Sequence, residues 1–303
     1  MYPGEGLPGV LPALTNDGKI FLQDRSTIAV APDGNGGLYA ALRQPLANLR
    51  DNMSVLQHMQ SRGIEHVHAY CVDNCLVRVA DPVFLGYSIE KRAETGAKVV
   101  KKRHAKESVG VLALRNGKYG VVEYSEMGEK EAEMKDPENP EELAFRAANI
   151  ANHYFTLEFL QKMESLEKEM TFHIARKKIA HVDTTSGEAV KPTQPNGMKL
   201  ELFVFDVFPF TSRLAVLEAP RSEEFSPLKN APGSGTDCPE TSRRDILAQH
   251  VEWLKQAGAE VEEGCEVEID PAVSYAGEGL EAFKGKKITK SMIIDKVEVA
   301  QTL

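Results

Sequence analysis

The stretch Ile64-Glu-His-Val-His-Ala-Tyr-Cys-Val72, followed directly by Asp73-Asn74, decides the fold predicted for this chain. Its short apolar run predicts a buried β-strand. Asp81-Pro82 comes next, and an Asp N-cap with Pro at the first helical position predicts a helix that runs to about Thr95. Another strand is predicted at 98–102. The order strand, helix, strand is typical of an α/β sheet.

Strands and helices continue to alternate on both sides of this unit, as far as Asn230. Asn116-Gly117 predicts a hairpin turn, because both residues tolerate positive φ. The period of Glu201–Phe210 fits a helix and a strand equally and leaves the two open. The other predicted elements are a helix in two pieces near 37–62, an extension of the first strand at 76–79, strands at 108–114, 118–124 and 213–218, a solvated helix and loop at 126–142, and a helix at 157–170. The alternation predicts a sheet with helices on both faces.

The stretch Ala231–Pro239, which contains Pro-Gly-Ser-Gly, has the composition of a linker. We therefore expect a domain boundary near 230–239, with an α/β domain at 1–230 and a small domain at 231–303. The small domain is predicted to begin with a helix at 240–257 and to continue with short strands near 259–269 and 291–299.

The composition limits the classes of function. The 303 residues are 42% hydrophobic and 27% charged, which excludes disorder for most of the chain. The formal net charge of −9 argues against a general nucleic-acid binder. No uncharged apolar run approaches the ~18 residues of a membrane helix, and the first basic residue, Lys19, comes too late for a signal peptide. The 4 cysteines form no CxxC pair, so we expect free thiols and a cytoplasmic location.

A glycine-rich loop, Ala31-Pro-Asp-Gly-Asn-Gly-Gly-Leu-Tyr39, is the first candidate for ligand binding. Its glycines would let the backbone approach a ligand closely, and the helix that follows offers free N–H groups. An ordinary glycine-rich turn is the alternative. The spacing matches neither GxGxxG nor GxxxxGK[ST], which excludes the dinucleotide-binding and P-loop motifs.

Asp73 is the second candidate, because it follows a predicted strand at the edge where open α/β sheets bind ligands. A lone carboxylate suits a Mg²⁺ ion carried in by a nucleotide phosphate, since Mg²⁺ keeps several waters. The alternative is an Asp that caps the next element. Lys199 and Lys229 could meet phosphates as point charges or could simply be solvated.

A third group has side chains that suit a sugar. Glu123 ends the hairpin strand and could accept hydrogen bonds from hydroxyls, and Asn149 can both donate and accept. Phe203 and Phe205 could line a pocket, or could belong to a core stripe.

These segments, in this order and spacing, resemble the eukaryotic UDP-N-acetylglucosamine pyrophosphorylase family, also called UDP-N-acetylhexosamine pyrophosphorylases. The matching segments are Leu11-Pro-Ala13, APDGNGGLY (31–39), YCVDN (70–74), VADP (79–82), VVEYSE (121–126), NIANHYF (149–155), PNGMKLELFVFD (195–206), EEFSPLKNA (223–231) and SYAGEGLE (274–281). They run from about Gly9 to Ile294. The resemblance implies a Rossmann-like, GT-A-like nucleotidyltransferase fold with a mixed sheet and a small C-terminal β-rich domain.

The resemblance also implies a reaction, in which UTP and N-acetylglucosamine 1-phosphate give UDP-N-acetylglucosamine and pyrophosphate with Mg²⁺ as cofactor. No nucleic acid, membrane or obligate protein partner is implied. On the sugar-nucleoside side, the resemblance implies that Gly34 contacts the uridine and that Asn35, Glu123 and Asn149 bind the amino sugar, with Gly110 and Tyr124 beside them. Phe203 and Phe205 would form the walls of the sugar pocket. Asp73 would bind the metal, Lys199 and Lys229 would bind phosphates, and these three residues would be catalytic.

The chain departs from the family at its start. The family's glycine-rich phosphate loop and the lysine after it lie upstream of the matching segments, and a glutamine that touches the uracil would fall at Pro8. We expect residues 1–8 to be a leader unrelated to the family. We therefore expect an N-terminally truncated member, with a sheet incomplete at its N-terminal end, an open strand edge, low stability and reduced turnover. The segment between Ala257 and Asp270 is also shorter than in many members.

Two other functions stay open on the sequence. One is a related pyrophosphorylase that uses another sugar 1-phosphate, such as N-acetylgalactosamine 1-phosphate or glucose 1-phosphate. The other is a non-catalytic remnant that binds a UDP-sugar or pairs with a partner chain.

Overall fold

The structure is a computed structural model that describes residues 10–302, so the leader predicted at 1–8 lies outside it. In chain order the strands are β1 (Val10–Pro12), β2 (Leu14–Thr15), β3 (Val30–Pro32), β4 (His66–Tyr70), β5 (Thr95–Lys101), β6 (Val111–Arg115), β7 (Lys118–Val122), β8 (Ala147–Thr156), β9 (His173–Lys177), β10 (His181–Val182), β11 (Ala189–Val190), β12 (Gly197–Glu201), β13 (Leu214–Ala219), β14 (Glu260–Val261), β15 (Val267–Ile269), β16 (Lys287–Ile288) and β17 (Met292–Ile294). The α-helices are α1 (Leu38–Arg43), α2 (Val55–Ser61), α3 (Pro82–Glu90), α4 (Glu129–Glu133), α5 (Leu157–Leu166), α6 (Arg221–Glu224) and α7 (Pro239–Gln256).

The central sheet is mixed and has the order β13-β5-β8-β6-β7, with β4 paired to the other half of β8. β13 runs parallel to β5, whereas the other pairs are antiparallel. β8 has 10 residues, so it pairs with β4 along residues 152–156 and with β6 at Ala148. The predicted α/β sheet is confirmed, and it is mixed as the resemblance implied.

Strand β8 was not predicted, because its sequence is too polar for a central strand. Asn152 and His153 are nevertheless 1% and 0% exposed. A β-bulge shifts the register opposite Lys98 and Val99, and Ala151 has a φ of 51°. The bulge changes the direction in which side chains point at this end of the strand, as bulges near binding sites commonly do.

Helices cover both faces of the sheet, as predicted. Tyr154 and Phe155 are neighbours on β8 and therefore point to opposite faces. Tyr154 packs with Phe84 of α3. Phe155 packs in a larger apolar cluster with Tyr39 of α1, together with residues of α2 and α5.

Local signals predicted several element boundaries correctly. Helix α3 begins at Pro82, and the Asp81 side chain accepts a hydrogen bond from Val83 N at 3.0 Å. The helix ends at Glu90 rather than near Thr95, since Arg92 adopts a φ of 51° and turns the chain toward β5.

The Asn116-Gly117 hairpin is confirmed, with φ values of 53° and 74° between β6 and β7.

Two expectations about extended segments differ from the structure. Residues 76–79 do not extend β4, because Leu76 N and Val77 N donate back to the side chain and the carbonyl of Asn74 and so form a turn. The segment Glu201–Phe210 is neither a helix nor a strand over most of its length. β12 ends at Glu201, and Asp206 then forms a turn by accepting a hydrogen bond from Phe203 N at 2.6 Å.

The C-terminal part has its own apolar cluster, which contains Trp253 and Leu254 of α7, Phe283 and Ile294. The strands predicted near 259–269 and 291–299 are present as β14, β15 and β17, whereas β16, the parallel partner of β14, was not predicted and residues 297–302 form a 3-10 helix instead of a strand. The division of the chain near 230–239 stays a prediction. No helix in residues 10–302 combines the length and apolar character needed to cross a membrane.

Candidate functional site

Asp73 and Lys229 lie on two segments that are joined by backbone hydrogen bonds. Leu228 N donates to Asp73 O at 2.7 Å, and Cys75 N donates to Ser226 O at 3.3 Å. The bridge between them pairs Asn74 with Pro227. It therefore places Lys229 beside the end of β4, where Asp73 follows the strand.

The Asn74 side chain completes this bridge. Its Nδ2 donates to Glu224 O at 2.7 Å, and its Oδ1 accepts from Ser226 N at 2.9 Å. Asn74 is only 4% exposed, so its amide is committed to the protein. It acts as a positioning residue for the segments that carry Asp73 and Lys229.

Four charged side chains form a buried ion cluster, defined here as Lys98, Asp81, Glu224 and Arg78. The cluster is next to the bridge, because Glu224 also accepts the hydrogen bond from Asn74 Nδ2. Lys98 Nζ lies 2.6 Å from Asp81 Oδ2 and 2.9 Å from Glu224 Oε1, and none of these three side chains is more than 4% exposed. Arg78 Nε lies 3.6 Å from Glu224 Oε1. The cluster joins the middle of β5 to the start of α3 and to the segment that leads to Lys229.

The two carboxyl groups of the cluster titrate differently. Burial alone would raise the pKa of Asp81, but the hydrogen bond and charge of Lys98 and the Val83 N–H hold it below its usual value. Burial raises the pKa of Glu224 above its usual value, although Lys98 and Arg78 oppose the shift. Both carboxyls depend on the Lys98 ammonium to stay ionised.

The glycine-rich loop packs against the backbone at Leu202. Gly34 has a φ of 85°, and a Cβ at this position would lie 2.2 Å from Leu202 O. Gly36 N donates to that oxygen at 2.8 Å. The glycines are thus required for a close approach to the protein's own backbone.

Asn35 in this loop accepts a hydrogen bond from Val204 N at 2.8 Å through Oδ1. The side chain is exposed, and within residues 10–302 its Nδ2 donates no hydrogen bond, so it can donate to a ligand.

Asn149, Gly110 and Glu123 lie together at the bulged end of β8. Asn149 N donates to Gly110 O at 2.9 Å. A Cβ on Gly110 would lie 2.6 Å from Glu123 Oε1, so only glycine leaves room for this carboxylate. Burial raises the pKa of Glu123, and the nearby charges of His173 and Lys229 oppose the shift. The charge of Lys229 thus acts on Glu123, which lies in the group formed by Asn149, Gly110 and Glu123.

This group is also connected to the segment of Asp73. Ala151 N donates to Asn149 Oδ1 at 3.2 Å, and Ala151 O accepts from Cys71 N at 3.2 Å. Burial and the Asp73 charge raise the pKa of Cys71, while Lys229 opposes them. Cys71 therefore lies within electrostatic range of both charged residues.

The imidazole ring of His173 packs against the ring of Phe203. Its ring centroid lies 4.9 Å from that of Phe203. His173 Nε2 lies 2.9 Å from Asp206 Oδ1, and Nδ1 lies 2.8 Å from Glu126 Oε1. The hydrogen bond to Asp206, helped by that to Glu126, outweighs burial and raises the pKa of His173 to about 9. The imidazolium is therefore the expected form at neutral pH.

Three further predicted site residues lie on other segments of the chain. Lys199 lies on β12 of the three-stranded sheet β2-β12-β9, and within residues 10–302 its amine makes no hydrogen bond or ion pair. Tyr124 is 53% exposed and lines a hollow beside α4. Phe205 is 6% exposed and belongs to the main apolar cluster, as the core alternative predicted, although it also contacts Phe203 at 5.2 Å between centroids.

The donor set at Asp73 is a single carboxylate. In the part of the chain that the structure describes, no three His, Cys, Asp or Glu side chains group as a metal site. One carboxylate beside a lysine fits a Mg²⁺ ion whose other ligands are phosphate oxygens and waters, rather than a cage made by the protein alone.

Sequence reasoning missed Asn74, His173 and the buried ion cluster. A signal existed for the cluster, because Lys98 interrupts the apolar run Thr95-Gly-Ala-Lys-Val-Val100. A buried lysine in such a run requires acidic partners. Asp206 offered a weaker signal, as an isolated charge in Phe203-Val-Phe-Asp206.

Comparison with known proteins gives consistent matches. Residues 9–234 match the family described as UTP–glucose-1-phosphate uridylyltransferase. The UDP-N-acetylhexosamine pyrophosphorylase-like protein 1 of Xenopus tropicalis is 46% identical over 301 residues, which cover 93% of this chain and 57% of that protein. The UDP-N-acetylglucosamine pyrophosphorylase of Saccharomyces cerevisiae is 46% identical over 290 residues, 94% of this chain and 59% of that protein.

A solved structure shows the same fold. The crystal structure of the uridine diphosphate N-acetylglucosamine pyrophosphorylase from Trypanosoma brucei has a TM-score of 0.79 and 33% identity, over 95% of this chain and 60% of that chain. This chain therefore spans less than two thirds of the length of these relatives.

Proposed function

Because the chain belongs to the UTP–glucose-1-phosphate uridylyltransferase family, we propose that it serves the transfer of a uridylyl group from UTP to N-acetylglucosamine 1-phosphate. The products would be UDP-N-acetylglucosamine and pyrophosphate. The relatives named above as pyrophosphorylases of this amino sugar support the choice of substrate.

One observation supports the proposal, namely the backbone bridge that joins the segment of Asp73 to the segment of Lys229. Transfer of a uridylyl group needs little covalent help from the protein. It needs an acceptor phosphate held in line with the α-phosphorus, and it needs positive charge where negative charge develops. Lys229 would supply such a charge at the phosphate oxygens.

The sugar side of the site would be formed by Asn35, Glu123 and Asn149. The free Nδ2 of Asn35 can donate to a hydroxyl or an acetamido carbonyl, and Glu123 can accept from hydroxyls. Phe203 would cover an apolar face of the sugar, with His173 holding its ring in place. Gly34 would meet the uridine through its backbone, and Gly110 leaves room for Glu123.

Asp73 would hold the Mg²⁺ ion that arrives with the nucleotide. When bound, this ion would neutralise charge on the phosphoryl oxygens. The adjacent Lys229 would hold the phosphate oxygens on the other side, and the bridge at Asn74 would fix the distance between the two side chains. Lys199 and Tyr124 remain proposed contacts to phosphate and sugar.

The test is pyrophosphate-dependent breakdown of UDP-N-acetylglucosamine to UTP in the presence of Mg²⁺. The informative variant is Asp73→Asn, and Asp17→Asn is the matched control because Asp17 is exposed and its ion pair is with Lys19 at the surface. We expect breakdown by the unchanged chain and by D17N, and a loss of at least about a hundredfold in D73N. A folded chain that binds UDP-N-acetylglucosamine without any breakdown would contradict the enzymatic proposal and favour a binding function.

The choice of sugar is tested in the same assay. UDP-glucose and UDP-N-acetylgalactosamine replace the substrate at equal concentration. A higher kcat/KM for either would replace N-acetylglucosamine in the proposal and leave uridylyl transfer intact.

A further inference from the structure

Lys102 is a largely buried lysine whose amine has no partner among the described residues. It follows β5 directly, and its N–H donates to Arg146 O at 2.8 Å. The residue is only 5% exposed. Within residues 10–302 its Nζ makes no hydrogen bond and no ion pair. The stem of the side chain is buried, whereas the amine reaches solvent in the hollows that the residue lines, so its charge is accessible to a ligand there.

Lys98 provides a comparison within the same strand. The period of two places Lys98 and Lys102 on the same face of the sheet. Lys98 is 0% exposed, and its amine is held by two carboxylates at 2.6 and 2.9 Å. The protein thus supplies acceptors to one of these lysines and none to the other. The missing acceptor at Lys102 points to a ligand.

The side chain of Lys102 lines two adjoining hollows between residues 101–107 and α4, which together we call the α4 hollow. Their volumes are about 270 and 560 Å³, and Ala105 and Glu133 also line both. The hollow is large enough for a phosphate or pyrophosphate ion. Tyr124 lines the smaller of the two hollows as well.

The charge around the hollow favours an anion. Lys101 pairs with Glu142, and Lys106 pairs with Glu129 at 3.3 Å. Lys102, Lys135 and the guanidinium of Arg103 have no carboxylate partner within residues 10–302, and the unpaired acidic groups on the wall are Glu133 and Glu141. Burial lowers the pKa of Lys102, and the charge of Glu107 opposes the shift. An anion at the amine would favour the charged form again.

We propose that the α4 hollow is a binding site for a phosphoryl anion, with Lys102 Nζ as its principal contact and Arg103 at its rim. Lysine meets phosphate as a point charge and Arg as a planar fork of donors, so the pair suits phosphoryl oxygens. The anion is either pyrophosphate from the proposed reaction or the phosphate of a separate effector. The site does not require that the proposed function is correct.

The test is calorimetric titration of the chain with inorganic phosphate and with pyrophosphate. Lys102→Met removes the amine and keeps most of the apolar stem. Lys118→Met is the matched control, because that lysine is exposed on the hairpin strand β7 and does not line the hollow. We expect K102M to weaken binding about tenfold or more, and K118M to change it less than about twofold. Equal affinities in the two variants, or no binding to the unchanged chain, would overturn the proposal.

The stability of K102M is a second measurement. If the amine has no protein partner, replacing it with Met removes no contact within the protein and leaves the urea midpoint unchanged or higher. A clearly lower midpoint, or a K102M chain that does not fold, would mean that the amine is a structural contact, and would overturn the proposal.

Saturating UDP-N-acetylglucosamine then distinguishes the two sources of the anion. If it displaces pyrophosphate from the unchanged chain, the α4 hollow belongs to the proposed reaction. If both bind together, the hollow takes a separate effector. If UDP-N-acetylglucosamine does not bind at all, the proposed function fails, while the phosphate titrations still decide the α4 hollow.

Discussion

Replacing Lys98 with Met tests the buried ion cluster most directly. Met has a similar length and no charge, so Lys98→Met leaves Asp81 and Glu224 buried without the ammonium that contacts both. Only Arg78 remains nearby, at 3.6 Å from Glu224 Oε1. The variant therefore isolates the effect of two uncompensated buried carboxylates.

The expected magnitude follows from the burial of the cluster. Removing one partner of a buried ion pair costs about 3–5 kcal/mol in the free energy of unfolding, because the other charge is left unpaired. Lys98 is 0% exposed, and the two carboxylate side chains are 3% and 4% exposed, so solvent screens the cluster little. We expect K98M to lose at least about 3 kcal/mol at pH 7.

The assay is urea unfolding at pH 7, followed by circular dichroism, with Lys102→Met as the matched control on the same face of the sheet. The double variant Lys98→Met/Glu224→Gln should recover part of the loss, because one of the two unpaired charges is removed. A K98M chain within about 1 kcal/mol of the unchanged chain, or no recovery in the double variant, would refute the reasoning.

The same variant has a predicted pH dependence. Without Lys98, burial raises the folded-state pKa values of Asp81 and Glu224 above their unfolded values. The destabilisation is then present above these raised pKa values and is relieved as the pH falls through them. The deficit of K98M should therefore shrink between pH 7 and pH 5, and a constant or growing deficit would contradict this cause.

Three further predictions concern the candidate site. His173, with its pKa raised to about 9, should contribute up to about 3 kcal/mol to the free energy of unfolding. This contribution is fully present below pH ~6.5 and is lost as the pH rises through 9. His173→Gln should therefore flatten this part of the stability profile measured by urea unfolding, and an unchanged profile would disprove the prediction. Gly34→Ala should destabilise the chain by at least about 1 kcal/mol more than Gly63→Ala, because both have positive φ but only Gly34 meets Leu202 O; thermal unfolding of the two variants decides this. Asn74→Ala should lower the free energy of unfolding by about 2–3 kcal/mol, since it leaves buried partners unsatisfied, and a loss below about 1 kcal/mol would show that the bridge tolerates its absence.

Local signals in the sequence predicted the elements whose ends are determined by a few residues. Asp81-Pro82 is sufficient to start α3, because the Asp side chain and the Pro ring act within one turn. Asn116-Gly117 is sufficient for the hairpin for the same reason. Segment matches to a family identified the residues of the candidate site, which lie far apart in the sequence.

Long-range contacts explain what could not be predicted. The polar residues of β8 are buried because strands on both sides satisfy the backbone, and no local pattern shows this. The turn after Glu201 depends on Asn35, which accepts from Val204 N across a separation of 169 residues. The glycines of 34–37 were expected to approach a ligand, but the packing against Leu202 is visible only in three dimensions.

The bridge at Asn74 also has a consequence for the order of events during synthesis. Asn74 and Glu224 are 150 residues apart, so the ribosome needs roughly 8–30 s to make the second side of the bridge after the first. Contacts of such separation form late in folding, because the entropy of closing the loop must be overcome first. The nascent chain therefore exposes Asp73 and Cys71 for seconds before Lys229 arrives. A chaperone that shields the end of β4 in this interval should raise the yield of native chain, whereas one that acts only after release should not.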